Sequence, residues 1–285
     1  MTRSDSTVPT PRRPRKGRPI LWFLLKWTLI GGIWSSFLLL ILVAWCAFDL
    51  PDVSRLNEIK RRPSVTLLAT DGSILASYGD LYGNRVTLAE MPPYLPEAVL
   101  ATEDRRFYHH FGVDPLGLLR AVYVNFKTGD VVQGGSTITQ QLAKNVFLTP
   151  ERSLHRKGQE VLLSLWLEHN FTKQQILELY LNRVYFGAGT FGVDAASRKY
   201  FGHPVQQITV FEAAMLAGML KAPSKYNPFN DKDLAKARAD QVIRNMVAAD
   251  YLSDAEAKAL ATQTAPAVTP QGNSQIGQYF ADWAI

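Results

Sequence analysis

Cysteine is almost absent from this chain: Cys46 stands alone in 285 residues. That excludes an intramolecular disulfide framework and any multi-cysteine zinc site. Histidine is scarce too, with five residues, no HExxH spacing and only His109 and His110 adjacent. Hydrogen bonding, not metal ligation, is expected of that pair. No SxxK occurs, so Lys127-Thr128-Gly129, which copies a short element of serine acyl-transfer enzymes, has no nucleophile motif to serve. No internal repeat is apparent. A basic surface is also missing from most of the chain. The formal net charge is +6, but residues 1–26 hold seven basic residues against Asp5, and the rest has 24 basic and 24 acidic residues. A nucleic-acid partner is therefore not expected. Hydrophobic residues at 47% and charged residues at 20% fit a folded chain of one large or two modest domains.

One long uncharged run is present. Trp27 to Phe48 reads WTLIGGIWSSFLLLILVAWCAF, and a helix of that length, rising ~1.5 Å per residue, crosses a hydrocarbon core of ~30 Å. A cleaved signal peptide has a shorter apolar region, ~7–15 residues, with a small-x-small site after it. Here Asp49, Pro51 and Asp52 follow, which favours an uncleaved anchor. The basic N-terminal flank places that end in the cytoplasm and the rest outside the cytoplasmic (inner) membrane. The expected division is a basic cytoplasmic tail at 1–19, an anchor at 20–48 and a juxtamembrane β element at 49–91. A mainly α domain at 92–263 and a linker at 264–285 follow. The β element rests on two β-rich runs around Asp71-Gly72, a hairpin signal. Helical patterns run from Pro92 through FY and at about 136–148, 153–169, 172–181, 209–221 and 232–260. The ending QYFADWAI is apolar for a solvated tail, so a longer natural chain is expected.

Three polar clusters carry chemistry. In EDRRFYHHFGVD (103–114), Glu103 and Phe107 are four apart and would share one helix face. A carboxylate beside an aromatic in a dry cleft suits a general base or acid. A charged helix end explains the spacing equally well. In GGSTITQQLAKN (134–145), Ser136 or Thr137 can cap a helix whose start is an anion site. Thr137, Gln141 and Lys144 form a polar stripe beside the apolar Ile138, Leu142 and Val146. In RKGQE (156–160), Arg156, Lys157 and Glu160 can face one site, either as surface ion pairs or as a diphosphate-holding group.

Taken in order, with ILELYLNRVYFGAGTFG (176–192) and AAMLAGMLKAPSKYNP (213–228), these clusters resemble the peptidoglycan glycosyltransferase domain of glycosyltransferase family 51. That domain occurs in class A penicillin-binding proteins and monofunctional transglycosylases. The resemblance implies a lysozyme-like α lobe with a smaller membrane-facing lobe, anchored by one N-terminal helix. It implies that the chain polymerises lipid II into glycan strands by inverting transfer, with release of undecaprenyl diphosphate. Glu103 matches the general base and Glu160 the second functional carboxylate. Lys144, Arg156 and Lys157 match diphosphate-side cations; Asp104, Phe107, His110, Thr137 and Gln141 match positions lining or shaping the cleft. No cofactor is required by the pattern, and a Mg2+ or Mn2+ ion near Glu160 stays an open alternative. Expected partners are lipid II, the growing strand, the membrane, and transpeptidase or other cell-wall synthesis proteins. A bifunctional member would continue into a transpeptidase domain. Two rival readings are a lysozyme-like hydrolase or lytic transglycosylase, and a non-catalytic cell-wall scaffold.

Overall fold

The uncharged run folds as expected. In a computed structural model of the chain, α1 spans Pro19–Ala47, and its Trp22–Ala47 part has a mean hydropathy of 2.2. With no charged residue after Lys26, α1 has the length and composition to cross a bilayer. The structure describes residues 19–51, 65–68, 74–78, 81–129, 134–148, 151 and 153–261. The basic tail and the 264–285 linker therefore lie outside the described residues, apart from Pro19. The chain divides into two compact units after Asp49, α1 belonging to the first.

The second unit is mainly α, and its few strands are short. The hairpin pattern gives β1 (Val65–Leu68) and β2 (Ile74–Tyr78), paired antiparallel; the Asp71-Gly72 turn itself is outside the described residues. Next, β3 (Leu81–Tyr82) pairs in parallel with β4 (Thr190–Phe191). Side chains reinforce that junction. Asn182 donates to Val86 O at 2.8 Å and accepts from Val86 N at 2.9 Å, and Asp194 accepts from Asn84 N at 3.1 Å. Gly192 makes the approach possible: its φ is +83°, and a Cβ there would lie 2.7 Å from Asn182 O.

The helices are α2 (Tyr94–Glu103), α3 (Pro115–Thr128), α4 (Ile138–Phe147), α5 (Leu154–Asn170) and α6 (Lys173–Arg183). They continue with α7 (Val193–Phe201), α8 (Val210–Met219), α9 (Lys232–Val247) and α10 (Asp254–Ala261). Local sequence sets most of the starts. Thr137, Thr172 and Thr209 each form a capping box with Gln140, Gln175 and Glu212, and Ser153 and Asp231 cap α5 and α9. Each such cap stabilises its helix by about 1 kcal/mol. The central helix α8 buries every residue from Phe211 to Met219 and packs on α2 and α9, while α4 packs on α5 and α6. Burial on all sides suits VFEAAMLAGM, whose one charge, Glu212, is used at the cap.

Several elements depart from the sequence pattern, among them α7, a helix it did not place. The single helix expected over 232–260 is two, because Asp250 takes φ +59° and Ser253 starts α10 by exchanging hydrogen bonds with Glu256. Helix α3 was not expected. Its apolar Leu116, Leu119, Tyr123 and Phe126 recur at helical spacing, but all four are exposed, so the stripe faces away from the core. Its C-terminal Lys127-Thr128-Gly129 is a helix end, Thr128 Oγ1 donating to Val124 O and Gly129 capping at φ +74°.

Candidate active site

Helix α2 stops at Glu103 because Asp104 leaves helical space, with φ −157° and ψ 77°. The shared helix face expected for Glu103 and Phe107 does not exist: Phe107 sits in a separate 3-10 turn, Phe107–His109. Phe107 is fully buried, with the Lys173 ammonium 4.3 Å from its ring centroid. It does not line the cleft but packs in the core, edge-on to the His110 ring. Asp104 turns inward, its two oxygens each 3.0 Å from His110 Nε2, and Oδ2 accepts from Ile138 N at 3.1 Å. Asp104 thereby ties the end of α2 to the start of α4, and His110 serves that tie from a buried position.

Glu103 faces the cleft. Gln141 Nε2 donates to Glu103 Oε2 at 2.9 Å. Burial pushes the Glu103 carboxyl above the usual carboxylate range. The Gln141 hydrogen bond and the charges of Arg238 and Lys221 pull it back, while Asp104 adds to the rise. The result is a carboxyl held between two opposed influences, an arrangement common where protons are transferred.

On α4, Thr137 caps the helix by accepting from Gln140 N at 3.2 Å and donates to Gly112 O at 2.6 Å. Gly112 has φ +72°, and a Cβ there would meet the Ser164 carbonyl at 3.0 Å, so this turn can lie against α5 only as glycine. Thr137, Gln141 and Lys144 all line the cleft, the polar stripe facing in while Ile138 and Leu142 are buried behind it. Lys144 is exposed and makes no ion pair among the described residues.

On α5, Lys157 Nζ lies 2.8 Å from Glu160 Oε2 and 2.9 Å from Ser136 Oγ, and Arg156 Nε lies 3.5 Å from Glu160 Oε1. Glu160 and Ser136 line the cleft, and Arg156 and Lys157 reach it only through these two. Both Glu160 oxygens are thus spanned by cations. No group of three or more His, Cys, Asp or Glu side chains able to hold a metal occurs among the described residues. Glu160 would offer a divalent ion one carboxylate, whose oxygens already face Lys157 and Arg156.

The cleft encloses about 820 Å³ and is walled by α2, α3, α4, α5 and α9, with Lys221 from the turn after α8. Besides the residues expected from sequence, Arg105, Arg106, Arg120, Lys221 and Arg238 contribute to it. Six Lys or Arg side chains and four carboxylates line it in all, a positively biased hollow suited to an anionic ligand. Arg238 had no sequence signal, and Lys221 lay in the 213–228 motif without a role of its own; both act on Glu103 in the folded chain. Tyr180 lay in the 176–192 motif with no role assigned to it, yet its hydroxyl donates to Gln141 Oε1 at 2.9 Å.

Comparison with known proteins fits this geometry. A family model described as Transglycosylase matches residues 71–247. Penicillin-binding protein 1A of Escherichia coli (strain K12) is 46% identical over 205 residues, covering 72% of this chain and 24% of its own. Penicillin-binding protein 1A of Aquifex aeolicus (strain VF5) is 40% identical over 234 residues, covering 82% of this chain and 32% of its own. The chain therefore spans about a quarter to a third of the length of these relatives. A crystal structure of penicillin-binding protein 1A from Haemophilus influenzae aligns with TM-score 0.48 and 22% identity, over 79% of this chain and 24% of that one, too distant to carry an argument. Matched by the family model over more than half of its length, the chain belongs to the transglycosylase family.

Proposed function

We propose that this chain polymerises peptidoglycan glycan strands from lipid II at the outer face of the cytoplasmic membrane. The observation that carries the reading is a cleft with Glu103 and its Gln141 donor beside a wall of cations. In the reaction, Glu103 takes the proton of the acceptor sugar's 4-hydroxyl as that oxygen forms a bond to the donor's anomeric carbon. The bond from that carbon to the diphosphate oxygen breaks, and its electron pair leaves with undecaprenyl diphosphate. Attack from the face opposite the leaving group converts an α-linked donor into a β-1,4 product. Lys144, with Lys157 and Arg156, supplies positive charge to the departing diphosphate. Glu160 holds Lys157 and Arg156 in place, so no divalent ion is assigned a step.

Both substrates carry a lipid, so confinement to a bilayer raises their effective concentration. The apolar helix α1 supplies the anchor, its basic flank in the cytoplasm. Helix α3 supplies a second contact. Phe126 is 89% exposed and Leu119 66%, in a helix that forms one wall of the cleft, so a membrane-dipped α3 would open the cleft towards the lipid. The surrounding partners are a transpeptidase and other cell-wall synthesis proteins. A hydrolase acting on finished glycan has no diphosphate to stabilise and leaves the cation wall without a role.

The test is product identity. Detergent-solubilised protein given labelled lipid II is expected to yield a ladder of muramidase-sensitive glycan and one undecaprenyl diphosphate per linkage formed. Shortened glycan from a finished strand, with lipid II untouched, would replace this reading with the hydrolase.

A further inference from the structure

The cleft contains a hydrogen-bond chain that the reaction as described does not use. Tyr180, fully buried on α6, donates from its hydroxyl to Gln141 Oε1 at 2.9 Å; Gln141, on α4, donates from Nε2 to Glu103 Oε2 at 2.9 Å, at the end of α2. Three helices thus meet through one amide. An amide is nearly symmetric in shape but opposite in chemistry at its two ends: one accepts and the other donates. Turned over, Gln141 would present its oxygen to the Glu103 carboxylate, two acceptors facing each other. The tyrosine hydroxyl disfavours the turned amide, because Tyr180 could then only accept from Nε2 and its buried proton would lose the acceptor it has in Oε1.

We propose that Tyr180 is a positioning residue for the transfer reaction: its hydroxyl fixes the Gln141 amide so that Nε2 holds Glu103 in the orientation and charge state of a proton acceptor. The proposal rests on the reading of Glu103 as the base. Burial, with the charges of Glu103 and Asp104 adding to it, pushes the Tyr180 hydroxyl well above its usual range, so it stays a donor at every pH at which the enzyme works. Gln141 acts on Glu103 in the direction of ionisation, alongside Arg238 and Lys221 and against burial and Asp104. The other charged groups around the cleft are Arg105 and Arg106 beside Glu103, Asp114 and Arg120 from the start and body of α3, Lys144 from α4 and Glu160 from α5. None of these fixes the amide of Gln141, whose side-chain hydrogen bonds among the described residues are those to Tyr180 and Glu103.

Tyr180→Phe keeps the buried ring and deletes only the donor. The expected result is a fall of about tenfold in kcat on lipid II, with KM little changed. The acidic limb of the kcat–pH profile should move to higher pH, because an unfixed amide supports the ionised carboxylate less well. Gln141→Leu is expected to show the same shift, and the double variant no further loss, since both substitutions break one chain. A wild-type acidic limb in Gln141→Leu overturns the proposal even if Tyr180→Phe does not fold. So does a Tyr180→Phe enzyme with wild-type kcat and limb, or losses that multiply in the double variant. Glu103→Gln assayed beside them separates the two ideas. If it is inactive while Tyr180→Phe is normal, only the positioning role fails; if it is fully active, the base assignment fails and the positioning role with it.

Discussion

Asp104→Ala separates a structural carboxylate from a reacting one in the Glu103-Asp104 pair. Asp104 is 7% exposed, its carboxylate lies 3.0 Å from His110 Nε2, and it accepts from the buried Ile138 N at 3.1 Å. The alanine leaves that N–H and that ring nitrogen without their partner. A buried donor stripped of its acceptor destabilises by about 1–3 kcal/mol, so the two together should cost about 2–6 kcal/mol. For a domain of this size each kcal/mol moves the melting temperature by ~2–4 °C, giving a drop of roughly 4–24 °C. The assay is thermal melting followed by intrinsic fluorescence in detergent. Asp104→Asn, which keeps one oxygen acceptor, should fall between alanine and wild type. Lipid II turnover at a temperature where the alanine variant is still folded should be reduced less than by loss of Glu103, because the change acts through the position of α4. A variant that melts within about 1 °C of wild type would refute the structural role of this carboxylate.

Other consequences follow from the same contacts. Burial raises the Glu103 carboxyl, so its contribution to stability is present below the unfolded-state value and is lost as pH rises through the higher folded value. Glu103→Gln should therefore melt above wild type at pH 7–8, with the gap closing on acidification; a lower melting temperature at pH 8 would contradict the stated direction. Lys173→Met removes the cation 2.8 Å from buried Glu168, which also accepts from Thr139 Oγ1 at 2.6 Å, and should destabilise by about 3 kcal/mol in chemical denaturation. A combined Leu119→Asp and Phe126→Asp change on α3 should leave melting unaltered and slow polymerisation in proteoliposomes several-fold, because both side chains are already exposed.

What was legible in the sequence is what local chemistry decides. The T-x-x-Q/E boxes at Thr137, Thr172 and Thr209 set helix starts, and the uncharged run set α1, because each needs only near neighbours. The polar stripe of α4 could be read from a period of 3.6, and its three members do reach the cleft. The pairing of Glu103 with Phe107 failed for a local reason as well: one residue, Asp104, ends the helix between them. Hidden from sequence were the contacts made by tertiary convergence. Arg238 and Lys221 act on Glu103 in the folded chain, and Tyr180 meets Gln141 across α4 and α6. Helix α3 escaped because its pattern answers to a surface other than the protein core.

The most direct test of the account replaces one atom of the base. Glu103→Gln keeps the shape of the side chain and can still meet Gln141, but it has no carboxylate to take a proton. Its folding should first be verified by melting, and its rate of glycan formation from labelled lipid II then compared with wild type. General-base catalysis contributes about 10²–10⁴-fold, so the account predicts a loss in that range or complete inactivity. Polymerisation at the wild-type rate by the folded variant would contradict it.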